Sequence, residues 1–400
     1  MTNRSFIFPQ FKLFIFTFFI IFSPFSIGHT CYWDSDTLKM EQKRFPKVLD
    51  LIMGNFPHRS KNFYLWRIKD RKEKLKNTPN SENILQWKED LMVALDRVGQ
   101  TEEAIKLAKS ILPLYPQRYE LHANLGTFYF HSGVLNPHNY KKGKAHIQKA
   151  LEINPNAHFG RERIQLELVN YIINKAEQNI SKINNNKGHQ SNNTSINLPL
   201  YKNNSSKREC EKILTQIQHQ WTQLYKKTLS PTLPWLCPGL KPFGFAHYLL
   251  SRKYTLQEGV KGVLGMMYFS NHQSPILLEV LGDLLLADRF VRKKKIWKDA
   301  KHLAARSYLA AATFTSEPTS NFYKAKALLA LVGIRNLTYM QLEDSFQKER
   351  QKSTQYINQL HKKEQNWLQF HPNPEDAFFK TYERWIQSFQ NTLKSIKSSD

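Results

Sequence analysis

Cysteine is scarce: the 400-residue chain holds three, Cys31, Cys210 and Cys237, and no CxxC pair. That pattern gives no support to a structural zinc site, and an odd count leaves one thiol outside any internal disulfide. An oxidising compartment would permit Cys210–Cys237. Glycine (15) and proline (18) are too few for a fibrous or collagen-like chain. Acid is short as well, with 33 Asp+Glu against 58 Lys+Arg and a formal net charge of +25. A mean hydropathy of -0.54 excludes a polytopic membrane protein. Catalytic signatures are missing too: no GxSxG, GxxxxGKS/T, HExxH or GxGxxG occurs. The histidines form no pair at metal-binding helical spacing beside a carboxylate, so single ones such as His247 and His302 read as surface or packing residues. No catalytic residue, metal or cofactor is expected.

What is present is an ordinary globular balance, 41% hydrophobic and 23% charged, which does not describe a disordered chain. Residues 1–28 read as an export signal. Arg4 and Lys12 supply positive charge, and Leu13–Phe22 is apolar except for Thr17. Ten residues span about 15 Å of helix, half a bilayer core, which suits a signal peptide better than a spanning helix. Pro24 breaks the run, and Ser26 and Gly28 are small residues before a cut after Gly28. The expected location is periplasmic or extracellular, with an uncleaved membrane anchor as the alternative. Removing Arg4 and Lys12 leaves +23 over 372 residues, so the charge belongs to the folded part.

A period runs through the next stretch. Leu91, Leu95 and Gly99 recur as Leu125, Tyr129 and Gly133, each 34 residues on. Leu91, Ala94, Leu95 and Val98 form one helical apolar face; Ala104, Leu107, Ala108 and Ile111 form another. Gly99-Gln100-Thr101 breaks the two helices, Glu102 and Glu103 favour a new start, and Pro116 ends the unit. Such a helix–turn–helix unit cannot bury its faces alone and must stack on neighbours.

With Leu85 as first position, Leu91, Leu95, Gly99, Ala104, Leu112 and Pro116 make 85–118 resemble a tetratricopeptide repeat. The second unit, 119–157, is similar: Asn124-Leu125-Gly126, Tyr129, Gly133 and Ala150–Pro155 match, with about five extra residues around 134–138. Small residues at the matched positions allow two helices of a pair to approach closely. Ile164 and Leu168 begin a third first-helix that runs on to about Ile180 and is expected to cap the array.

A fainter copy lies at 254–335. Leu281-Gly282 and Leu285 suit a first helix, Ala304, Tyr308 and Ala311 a second, with an insertion near Arg289–Lys298. Val260, Leu264 and Met267 suit the preceding unit, and Tyr323, Leu328 and Leu329 the next. The tail reads as two helices broken at His371–Pro374, with Asn373 as cap and Pro374 at the first helical position. Phe378, Phe379, Tyr382, Trp385, Ile386 and Phe389 form an aromatic stripe, expected to pack on the preceding helix.

The expected architecture is therefore an all-α, tetratricopeptide-like helix–turn–helix solenoid in two blocks with a C-terminal helical hairpin. Its parts are a signal peptide 1–28, a helical domain 29–180, a flexible Asn/Ser-rich linker 181–207, a second helical domain 208–337 and the hairpin 338–400.

The resemblance implies a non-enzymatic scaffold that holds a protein or peptide in a concave groove lined by successive first helices. By repeat position that groove takes Arg97, Asn124, Thr127, Phe130 and Arg163. Some arrays of this family clamp a partner's C-terminal carboxylate. Asn124 and Arg163 fall on two of the five clamp positions, but Glu89, Val93 and Phe159 depart from it, so that mode is not expected. The alternative partner is an anionic polymer or lipid headgroup, held by the basic run Arg289, Arg292, Lys293, Lys294, Lys295 and Lys298, with Phe290 and Trp297 alongside; nucleic acid is not an expected partner. A second alternative is a subunit of an enzyme complex whose site has no local motif.

Overall fold

A computed structural model describes residues 48–133, 138–155, 161–185, 204–225, 244–291 and 299–397. Fifteen α-helices and one π-helical turn occur among them, and no strand. The first seven are α1 (Val48–Met53), α2 (Lys61–Asn77), α3 (Ile84–Arg97), α4 (Thr101–Ile111), α5 (Tyr119–Ser132), α6 (His138–Ile153) and α7 (Arg161–Asn185). There follow α8 (Asn204–Tyr225), α9 (Gly244–Ser251), α10 (Leu256–Met266), the π-turn Met267–Asn271, α11 (Pro275–Val291), α12 (Ala300–Thr313), α13 (Thr319–Leu331), α14 (Tyr339–Phe370) and α15 (Pro374–Lys397). The expected signal peptide lies outside the described residues. No helix among those described is long and apolar enough to cross a membrane.

Local chemistry explains the boundaries. Ser60, Thr255 and Thr338 cap helices, each side chain accepting from a backbone N–H three residues on. Thr255–Glu258 and Thr338–Gln341 are reciprocal capping boxes. Asn373 Oδ1 accepts from the Asp376 N–H at 3.1 Å, and Pro374 opens α15. Gly99 takes φ +92° between α3 and α4, a conformation that glycine adopts without a Cβ penalty.

Each helix from α3 to α7 packs on the one before it, and so do α10 to α13. Glycine sets the closest approaches. A Cβ on Gly126 would stand 2.5 Å from Ile147, one on Gly143 2.5 Å from Phe130, and one on Gly282 2.5 Å from Tyr308. Gly262 of α10 faces Ile164 of α7 in the same way, at 2.5 Å. Gly262→Ala is therefore expected to cost about 1–3 kcal/mol through overpacking, read as a lower urea midpoint. An unchanged midpoint would mean that α7 and α10 part freely.

The largest core does not stop at the expected linker. Leu51, Ile52 and Phe56 from the N-terminal side, and Ile164 and Leu168 of α7, share it with residues of α9 to α15. Helix α7, expected to end the first array, packs on α10 and α9. Helices reach into the expected linker from both sides, to Asn185 and from Asn204; residues 186–203 lie outside the described set. Helix α14 returns to pack on α1 and α2, so the two ends of the described chain meet.

That closure is polar as well as apolar. Arg71 Nη2 lies 2.8 Å from Asp90 and 2.7 Å from Glu375, and Arg67 Nη2 lies 2.9 Å from Glu375. Arg59 pairs with Glu364 at 3.5 Å and sits between the rings of Phe63 and Phe378, 3.8 Å from each. The aromatic stripe thus packs on more than its own hairpin: Phe378 meets Arg59, and the buried Tyr382 hydroxyl bonds that of Tyr268 in the π-turn.

Candidate functional site

Among the described residues the backbone makes one π-helical turn, Met267–Asn271. An extra residue per turn turns carbonyls out of the helical ladder, and such turns concentrate at functional sites. Arg97, in the last turn of α3, uses them. Its Nη2 donates to the Phe269 carbonyl at 2.6 Å and its Nη1 to the Ser270 carbonyl. Both acceptors lie at the C-terminal end of α10 and its extension, where the helix dipole favours a cation. Arg161, at the start of α7, lies over the Phe269 ring, 4.5 Å from its centre. Two helices 64 positions apart in sequence therefore hold one residue of the π-turn.

Beside this contact is a recess of about 210 Å³, walled by the segment 56–59, Tyr64, Arg97, the π-turn with His272 and Gln273, and Phe378. Two histidines from distant segments, His58 and His272, line it, and a third, His361, lies against His58. The His58 ring is 4.9 Å from His272 and 5.5 Å from His361. His58 Nδ1–H donates to the Phe56 carbonyl at 2.9 Å, which leaves Nε2 as the acceptor of the neutral ring. His361 Nε2–H donates to the His58 carbonyl at 3.1 Å. Gly54, with φ +76°, lies against His272; a Cβ there would come within 2.6 Å of its Nε2.

Burial, then His361 and Arg97, holds His58 down at about 4 against one opposing bond to Phe56. Burial, then His58, Arg350 and Arg97, holds His272 well below the usual histidine range. Both rings therefore favour the neutral form, and a nearby negative charge would favour a second N–H donor on each. Ser270, on the same wall, is 8% exposed, and its buried Oγ meets no hydrogen-bond partner among the described residues. No group of three His, Cys, Asp or Glu that could hold a metal occurs among those residues.

The structure distributes the sequence-derived site residues unevenly. Arg97 stands at the recess and is half-buried. Asn124 and Thr127 are fully buried, and Phe130 is 1% exposed, its ring stacked on Tyr140. Those three side chains therefore point into packed interior and do not line an open groove. The cause is the closeness of α5 to its neighbours, set by Gly126 and Gly143. Arg163 is exposed on α7. Glu89 is buried and accepts from Arg118 Nε at 2.6 Å, a structural pair. Arg289 falls in the last turn of α11; Arg292, Lys293, Lys294, Lys295 and Lys298 lie outside the described residues.

His58, His272, His361, Ser270 and Arg161 escaped the sequence reading. Each is single in its local window, and no spacing links positions so far apart. The Met267–Asn271 stretch also carries no glycine or proline to flag it. No family model matches the chain, and no curated protein or solved structure does either.

Proposed function

We propose that the chain is a non-enzymatic, tetratricopeptide-like scaffold, exported by residues 1–28, whose face formed by the end of α3 and the start of α7 holds a peptide segment of a partner protein. One observation carries this reading: that face already grips a segment of its own chain. Arg97 holds the Phe269 and Ser270 carbonyls, and Arg161 covers the Phe269 ring. An aromatic residue with outward-turned carbonyls is thus the chemistry the face selects. A partner segment of that kind would bind by displacing the π-turn, at the energetic cost of releasing it.

A random-peptide library displayed on phage tests the reading on the full chain. Enriched peptides should carry an aromatic residue, and Arg161→Ala should weaken them roughly tenfold, the worth of a buried cation–π contact. The reading fails if nothing is enriched, or if the enriched peptides bind Arg161→Ala as tightly as the parent chain.

A further inference from the structure

The recess has an electrostatic character of its own. Its walls carry Arg59, Arg97, His58 and His272 and no carboxylate. Arg59 is neutralised by Glu364, whose other oxygen accepts the Ser60 N–H at 2.9 Å. Arg97 meets carbonyl oxygens of the π-turn, and its cationic group acts on both histidines. The charged and titratable groups around the two rings are Arg97 from α3, Arg350, His361 and Glu364 from α14, Arg59 from the segment before α2, and Tyr64 from α2. The balance on the rings is positive.

A second, independent feature points the same way. The Ser270 hydroxyl is buried on this wall with a lone donor and no acceptor among the described residues. Buried hydroxyls normally find partners, and an exception calls for a group that completes it. The volume, about 210 Å³, is below the roughly 300–1,000 Å³ of sites for whole drug-sized ligands. It suits one acidic group with a few further atoms.

We propose that this recess binds one small oxyanion, a carboxylate or a phosphate group, between Arg97 and the Ser270 hydroxyl, with His58 and His272 as additional donors. An arriving anion offsets the positive surroundings of the two rings and raises their affinity for protons, so binding takes up protons and tightens as pH falls. This site goes beyond the peptide reading and can stand if that reading fails, because its probes are small ions and not peptides.

Titration calorimetry on the full chain, with sodium phosphate and sodium malonate against sodium chloride at matched ionic strength, tests it. One saturable site is expected for at least one probe, tighter at about pH 6 than at about pH 7.5. Phosphate alone binding identifies a phosphoryl ligand; malonate alone identifies a carboxylate. Ser270→Ala should weaken binding roughly tenfold, the loss of one charge-assisted hydrogen bond, with an unchanged circular dichroism spectrum. Arg97→Gln should remove it. Absence of a saturable signal above chloride overturns the proposal, as does wild-type affinity in the folded Ser270→Ala chain.

Discussion

Lys326→Met should destabilise the fold by about 3–5 kcal/mol at neutral pH, the effect of breaking a buried ion pair from one side. Lys326 is 2% exposed in α13. Its ammonium lies 2.6 Å from Asp283 and 2.9 Å from Glu279, both on α11. Tyr308 of α12 donates to Asp283 at 2.6 Å, and Tyr323 of α13 donates to Glu279 at 3.1 Å. One lysine thus balances two carboxylates between three packed helices. Burial lifts Asp283 to about 6 even with the lysine pulling it down, and the two acids hold Lys326 above its ordinary value against burial. Without the ammonium, both carboxylates must be protonated or stay charged and unpaired. A carboxyl lifted above its unfolded value costs stability at high pH and recovers as pH falls. The gap between Lys326→Met and wild type should therefore narrow from about pH 7.5 to about pH 5.5, and the melting temperature should fall by roughly 5 °C at the higher pH. Adding Glu279→Gln and Asp283→Asn should restore much of the loss. Equal melting of variant and wild type at both pH values would show that the ion cluster contributes nothing.

The same residues show how far local pattern reaches. The helix pair α11 and α12 is legible because Gly282 and Tyr308 sit at the positions where two helices must touch, and a Cβ on Gly282 would strike the Tyr308 ring. The breaks at Gly99 and His371–Pro374 are legible because cap and turn chemistry is local. Lys326 gives no such signal, since an isolated lysine in an apolar stretch reads as an exposed face until α11 brings its acids. Glu375 is the clearest case. Its place in the first turn of α15 is fully explained by the helix dipole, yet it also receives Arg67 and Arg71 from the other end of the chain. Long-range closure by α14 onto α1 and α2 has no period to betray it. The candidate site depends on that closure: Arg97 was legible as a first-helix position, whereas its acceptors and the histidines arrive from segments that the repeat does not describe.

Acid should loosen the molecule through its histidines before it reaches the carboxylates. Among the described residues four are held below their ordinary values: His58 and His146 at about 4, and His272 and His122 also lowered, burial being the first cause in each. An unfolded chain takes up a proton on each near pH 6.5, whereas the folded chain does so at lower pH, near 4 for His58 and His146. In that window the unfolded state binds more protons, so stability is complete above about pH 7 and falls as pH drops from about 6.5 to about 4. Asp283 and Glu89 oppose this, because burial lifts both acids, but two carboxyls face four rings. His58 alone accounts for about 3 kcal/mol as an upper figure, since its half-buried edge is partly screened by water. Thermal melts of wild type and His58→Asn from about pH 8 to about pH 4 separate its share: the variant should lose less stability across the window by roughly that amount. Parallel curves would remove His58 from the account, and a wild type that gains stability toward pH 4 would reverse the sign of the whole argument. Saturating phosphate or malonate adds a further comparison. If an oxyanion occupies the recess, it supplies the missing negative charge beside His58 and His272, and the acid limb of the wild-type curve should move to lower pH while that of Ser270→Ala moves less.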